Sequence, residues 1–394
     1  MSSMLSLQVR RPRDRRGNVL VLTAFMMICL MALMAFAVDL GYVYVSSAEL
    51  QRAADSAAIA SAWELIDKEF GATPNLLNEL PRARIVASKF VGYNPVCSKA
   101  PNVDWNFGNS ADGDVVFGYL SNVNDPAQPI DLGSLGRSNA VQVRVRRTSD
   151  MNGEVPFFFA RAMGFNSVAN RAQATAVVAS SFQGFRTPAD GGNLDLLPFA
   201  LDVTTWNDML GGGGSDQWRR DWDSSTKEWT VSKGSDGVRE VNLFPQGTGS
   251  PGNRGTVDIG GSNNSTKDIA RQITDGVSQD DLSHFGGKLE FDANGKLPLN
   301  GDTGISAGVK DELASIIGQP RMIPIFESVS GPGNNATYTI VKFVGVSVLE
   351  VKLTGSMSQK RVTIQPAHLV TGGGIPASGG SPSQFVYSKP YLVR

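Results

Sequence analysis

Residues 19–38, VLVLTAFMMICLMALMAFAV, contain no charged side chain and only one hydroxyl, that of Thr23. At about 1.5 Å of helical rise per residue, a block of about twenty residues covers the roughly 30 Å hydrocarbon core of a bilayer. The block therefore reads as one transmembrane helix, residues 18–40, and whatever precedes it lies on the opposite side of the membrane from whatever follows. Arg10, Arg11, Arg13, Arg15 and Arg16 stand before it, whereas Asp39 and Glu49 come before the next cation, Arg52. The positive-inside bias thus predicts a basic cytoplasmic N-terminus over residues 1–17 and export of the remainder. Ala35-Phe36-Ala37 fits the small-x-small pattern of a cleaved signal peptide. The apolar block, however, exceeds the usual h-region of about 7–15 residues and runs straight into further helical sequence, so a retained span is expected.

Helical character continues to residue 70. Ala53, Ala54, Ala57, Ala58, Ala60, Ala62 and Leu65 recur at i, i+3, i+4 spacing, and Gly71 and Pro74 punctuate the end. A second helix is predicted over 81–90, with Pro81 in the first helical position and Ile85, Val86 and Phe90 as buried positions. Strands follow at 114–120 and 140–148. In the latter, Val141, Val143 and Val145 alternate with Gln142, Arg144 and Arg146, which gives one core face and one wet face. Residues 155–180 read as a short helix after an aromatic start, then a closing strand over 169–179. The expected fold class is α+β: the transmembrane helix continues into a long exported helix packed on an antiparallel sheet, over residues 41–185, followed by a β-rich C-terminal domain.

These residues also carry a resemblance. The basic flank, AFAVDLGYVYV at 35–45, AELQRAADSAAIASA at 48–62, the VRV strand at 143–145, PFFFARAMGF at 156–165 and ANRAQATAVV at 169–178 resemble the TadE/TadG-like Flp pilus-assembly family, over roughly residues 15–180. The resemblance implies a bacterial, single-pass inner-membrane protein of the tight-adherence system, with pilus-assembly membrane proteins as partners and homo-oligomers left open. Two features of such systems are missing. Family members with a von Willebrand A domain use a D-x-S-x-S metal run, which the strings at 202–206 (DVTTW) and 223–226 (DSST) do not provide. Processed pilins carry glutamate five residues after a glycine, and Leu22 holds that place after Gly17.

The balance of 36 basic and 37 acidic residues gives a net charge of -1, so no global field draws in nucleic acid. Cys29 lies inside the apolar block and Cys97 outside it, so no disulfide framework is expected. The 43 glycines are concentrated in the second half, which fits a β-rich exported domain over 190–394 with strands within 323–330, 337–355 and 360–370 and a helix over 309–317.

Candidate sites are few. Ala37 and Gly41, four residues apart, with Ala53 and Ala57 beyond them, form a small-residue face suited to helix docking. Asp39 is expected at headgroup depth, where a charge costs little. Trp218, Trp222 and Trp229, with Asp216, Asp221 and Asp223 nearby, offer an aromatic face for a sugar, weighed against a small core built by Trp206 and these rings. Ser306 sits in a G-x-S-x-G string with Asp311 and His368 after it, but the polar, proline-broken KLPLNGDT before it does not make a nucleophile elbow. His284 and His368 are too few for a histidine metal cluster, and DANGKLPLNGD at 292–302 reads as a turn rather than a calcium loop. The end of the chain, 383–394, is expected to pack back on its own domain. No cofactor, metal or catalytic residue is expected. The reading is a membrane-anchored, non-enzymatic structural accessory of Flp pilus assembly, and the alternative is a membrane-tethered envelope binding module.

Overall fold

The computed structural model describes residues 16–66, 76–125, 127–243, 254–261, 265–302, 306–331, 336–356, 359–377 and 383–393. The first four arginines of the topology signal lie outside them, and Arg16 is the first residue of helix α1, Arg16–Trp63. Its 48 residues extend about 70 Å at the usual rise. No proline interrupts it, and Thr23 and Ser47 return their hydroxyls to the carbonyls four residues back, at 2.8 and 3.0 Å, so neither adds an unpaired donor to an apolar helix. The helix stops earlier than the sequence suggested: residues 64–66 form a turn closed by Glu64 N–H to Ser61 O and Leu65 N–H to Ala62 O. Gly71 and Pro74 lie outside the described residues.

Helix α2, Leu76–Tyr93, begins before Pro81, which sits inside it rather than at its first position. Its buried face is also not the expected one. Ile85 and Phe90 are exposed and Val86 is half-buried, while Leu80, Ala83, Arg84, Ala87 and Val91 are buried. Small side chains win the inner face because α2 lies against the alanines of α1: Ser61 donates to Ala83 O at 2.9 Å, a distance that a bulky residue at the crossing would prevent. Arg84 is buried and holds the loop before the sheet, donating to Trp105 O, Val115 O and Asn109 Oδ1 at 2.7–3.0 Å with its guanidinium over the Phe117 ring. Burial lowers its pKa from the ordinary arginine value.

The first sheet contains β1 (Val115–Gly118), β2 (Ala140–Arg147) and β5 (Asn170–Val177), all antiparallel. Between β2 and β5 lies a small hairpin of β3 (Val155–Pro156) and β4 (Ser167–Val168). Val141, Val143, Val145, Ala174 and Ala176 share one cluster of buried residues with Leu50, Ala53, Ala57 and Ala62 of α1 and Ala83, Ala87 and Val91 of α2. The fourth strand of this sheet is Tyr391–Leu392, paired with Val177 and Ala176. The chain end thus packs first on its own β-rich region, where Val386–Ser388 pairs with Leu369–Thr371, and then crosses to the first sheet, where it covers a β5 edge that would otherwise present unpaired backbone groups.

The β-rich region is built on seven strands in the order Val241–Asn242, Arg361–Pro366, Ala336–Lys352, Leu297–Asp302, Arg254–Val257, Phe199–Asp202 and Pro320–Ser330. Pro320–Ser330 pairs with Ala336–Lys352 as well, so five of the strands close into a ring. Tyr338 fills the ring with no exposure, and Gly255 and Gly301 make room for it: a Cβ on either would come within about 3 Å of its side chain. The core is continuous with the first module, since Leu120, Val123, Ala140, Val177 and Ala179 cluster with Phe182, Phe185, Leu194 and Phe343.

Candidate functional site at the membrane exit of the first helix

Asp39 follows directly on the apolar block, and it is not a solvated surface charge. It is 3% exposed, and its carboxylate accepts N–H bonds from Phe158 at 2.7 Å, Phe159 at 3.0 Å and Ala160 at 2.7 Å. These amides open the short 3-10 turn Ala160–Met163, whose preceding residue, Phe159, has no side-chain acceptor to cap it. An aspartate from a distant helix supplies the cap. A buried carboxylate is tolerable only when its oxygens are filled in this way. The charge at Asp39 is therefore not simply solvated: its contact is specific and made within the chain.

Further along α1 the contact repeats. Phe158 packs edge-on against Tyr42, with ring centroids 5.0 Å apart, and Asn170 donates to Ser47 Oγ at 3.0 Å. The chain from the β3–β4 loop to the start of β5 thus lies along α1 between Asp39 and Ser47. The pointer to this in the sequence was a lone acid at the edge of an apolar block and an aromatic FFF with no obvious core to enter.

The small-residue face divides. Ala37 and Gly41 are exposed, with open space where a Gly41 Cβ would stand. Ala53 and Ala57 are fully buried in the core shared with α2 and the sheet. The docking face proposed from spacing alone is corrected at these two positions, because the same small size that suits a neighbouring helix suits the chain's own.

The tryptophans separate in the same way. Trp206 is buried at the start of α3, Val203–Leu210, which Asp202 caps through Thr205 N–H at 2.8 Å; its indole N–H donates to Gln384 Oε1. Trp218, Trp222 and Trp229 lie on the hairpin of Trp218–Asp223 and Glu228–Lys233. Trp222 and Trp229 meet edge-on, the Arg220 guanidinium stands 3.4 Å over Trp229, and Lys233 Nζ stands 3.7 Å over Trp218. Two of the three rings thus stack on the hairpin's own cations, and Trp222 is the exposed one. The neighbouring carboxylates are engaged too. Asp216 accepts from Ser235, Asp236 and Gly237, Asp223 from Ser225, and Asp221 pairs with Arg219. Their hydrogen bonds, the hydroxyls of Ser235 and Ser225 first, hold Asp216 and Asp223 below the ordinary carboxylate pKa. Burial takes Arg220 down to about 10.

A cleft of about 590 Å³ opens between the end of α3 and residues 383–387, lined by Met209, Leu210, Arg239, Gln384, Phe385 and Tyr387 among others. No motif in the sequence marked it. Behind it His368 stacks on Phe385 at 5.6 Å, and burial, with the Arg220 charge second, lowers its pKa to about 4. Ser306 is elsewhere, capping the turn Ala307–Val309 with Thr266 and Gly308 as its partners, while Asp311 is exposed beside Lys310. Ser306 thus bonds Thr266 and Gly308, whereas His368 packs on Phe385 and Tyr387. His284 stands exposed at the rim of a polar recess with Asp258, Asp268 and Asp281, where Arg271 pairs with Asp281 at 2.6 Å. Asp292 accepts from Asn294 and Lys296 N–H in a tight turn. Among the described residues no group of three or more His, Cys, Asp or Glu gathers where a metal ion would sit.

Comparison with known proteins bears on the first module. Residues 17–64 match the family model described as Flp pilus-assembly TadE/G-like, and residues 46–176 match that described as Tad-like Flp pilus-assembly. No curated protein and no solved structure matches the chain. The matched span begins with the one described helix long and apolar enough to cross a membrane, and it ends within β5. The helix and the family match together fit a single-pass membrane protein.

Proposed function

We propose, from the match of residues 17–64 and 46–176 to the TadE/G-like and Tad-like Flp pilus-assembly family models, that the protein is a non-enzymatic accessory of Flp pilus assembly, anchored in the inner membrane with residues 41–394 on its outer side. The observation that supports the reading is the unbroken α1, which is apolar and exposed in its first half and a core element of the first module in its second. A module whose core helix is also its anchor is held at fixed height and tilt above the bilayer, without a linker. That is what a scaffold for membrane-bound assembly partners needs. The arginines before the span support the orientation.

The test is affinity purification of the full chain from host membranes, followed by mass spectrometry. Enrichment of Flp pilus-assembly membrane proteins is expected, and enrichment only of unrelated envelope proteins would overturn the reading. A periplasm-active reporter fused after Arg394 should be active. A membrane-tethered binding role for the C-terminal region has one feature in its favour, the cleft of about 590 Å³, and it predicts that altering Phe385 or Tyr387 abolishes function while the partners still co-purify.

A further inference from the structure

The hairpin clamped to Asp39 has a surface that the accessory role does not use. Its loop exposes Phe158, Phe159, Met163 and Phe165, the last two at 69% and 63%, on a connection of ten residues between β3 and β4. Loops on a water-facing surface are seldom so apolar, and contiguous exposed apolar groups mark a contact surface. The position of the loop says what the contact is. Asn170, at the start of β5 just after the hairpin, bonds Ser47, and the amides of Phe158 to Ala160, at the start of the loop, bond Asp39. Eight residues of helix separate those two points, so the chain from β5 to the loop descends about 12 Å along α1. It ends at the residue that closes the lipid-spanning block. At that level α1 itself exposes Leu40, and just beyond it Tyr44 and Val45.

We propose that residues 157–165 are a second membrane contact, an aromatic and methionine loop inserted into the interfacial region of the leaflet nearest Asp39. Aromatic rings favour that depth, and a peripheral apolar segment reaches about 5–10 Å into the headgroup and acyl boundary. Arg161, exposed on the same loop, supplies a cation for lipid phosphates. Gly164, in the left-handed region at φ 92°, turns the chain back after Met163 and returns its N–H to Ala160 and Arg161. The Asp39 carboxylate binds the turn that carries these side chains to the helix. Span and loop together grip the bilayer at two points, which fixes the rotation of α1 about its axis as well as its depth.

Site-directed spin labelling of the full chain in single-copy phosphatidylethanolamine/phosphatidylglycerol nanodiscs tests this, after Cys29→Ala and Cys97→Ser remove the native thiols. Labels at Met163→Cys and Phe165→Cys should relax more with oxygen than with a water-soluble nickel chelate, as a label at Leu33→Cys does. A label at Ser224→Cys, on the tip of the tryptophan hairpin, should show the reverse. The inference fails if 163 and 165 behave like 224, which would leave the loop in water. It fails equally if both relaxants are excluded there, which would mean that protein covers the loop.

Discussion

The two halves of α1 have the same backbone and opposite surfaces. In residues 19–38 the large side chains point out on every side: leucines, methionines and phenylalanines are more than half exposed. From Leu50 to Ala62 the inner face is alanine, and Ala53, Ala54, Ala57, Ala58 and Ala62 have no exposure at all. Lipid is as apolar as leucine, so the first half gains nothing by hiding bulk. Beside water, the second half must bury its apolar face, and α2 and the sheet approach closely only over small residues. The size of the side chains, more than their hydrophobicity, thus separates the part of the helix that faces lipid from the part that is core.

The sharpest challenge to this contrast is a pair of substitutions. Ala57→Leu adds bulk where there is no space and should destabilise the first module by about 3 kcal/mol, read as a lower thermal midpoint in nanodiscs. Leu33→Ala should leave that midpoint unchanged, and equal shifts for the two would erase the distinction. At the boundary, Asp39→Ala removes the acceptor for three backbone amides, a loss of about 2 kcal/mol. Hydrogen exchange at Phe158, Phe159 and Ala160 should then quicken roughly 30-fold, while β2 keeps its protection.

Acid tests the β-rich region against α1. The folded His368 pKa of about 4 lies below its ordinary 6.5, so the unfolded chain takes up the extra proton. Stability from this group is complete above about pH 7 and falls as pH drops from 6.5 to 4, by at most about 1.4 kcal/mol per pH unit. His368→Phe should flatten that dependence in pH-resolved melts. The smallest effect is expected from Ser61→Ala, which leaves the Ala83 carbonyl short of one donor and should cost about 1 kcal/mol. No loss of midpoint there would mean that α2 can slide on α1 without penalty.

Much of the architecture was legible locally. The apolar block announced the span, the Val141–Val143–Val145 alternation announced β2, and the strands at 320–330 and 336–352 appeared where β-branched runs lay between glycine turns. The face of α2 was not legible. Ile85 and Phe90 are more apolar than Ala83 and Ala87, and only the close crossing of α1 decides that the small residues go inside. The tryptophans misled for a related reason. Their spacing suggested one group, yet Trp206 entered the core while Trp218 and Trp229 stacked on cations of their own hairpin.

By itself, the sequence determined the membrane span, its basic flank and the secondary structure around it, because those depend on the composition of contiguous residues and on the period of the backbone. Tertiary structure alone decided the partner of Asp39, 119 positions away at Phe158, and the return of Tyr391 to the edge of β5. A carboxylate in an apolar setting must find donors, and a sheet edge must find a strand. Neither demand says where in the chain the partner lies, and the packed fold supplied both.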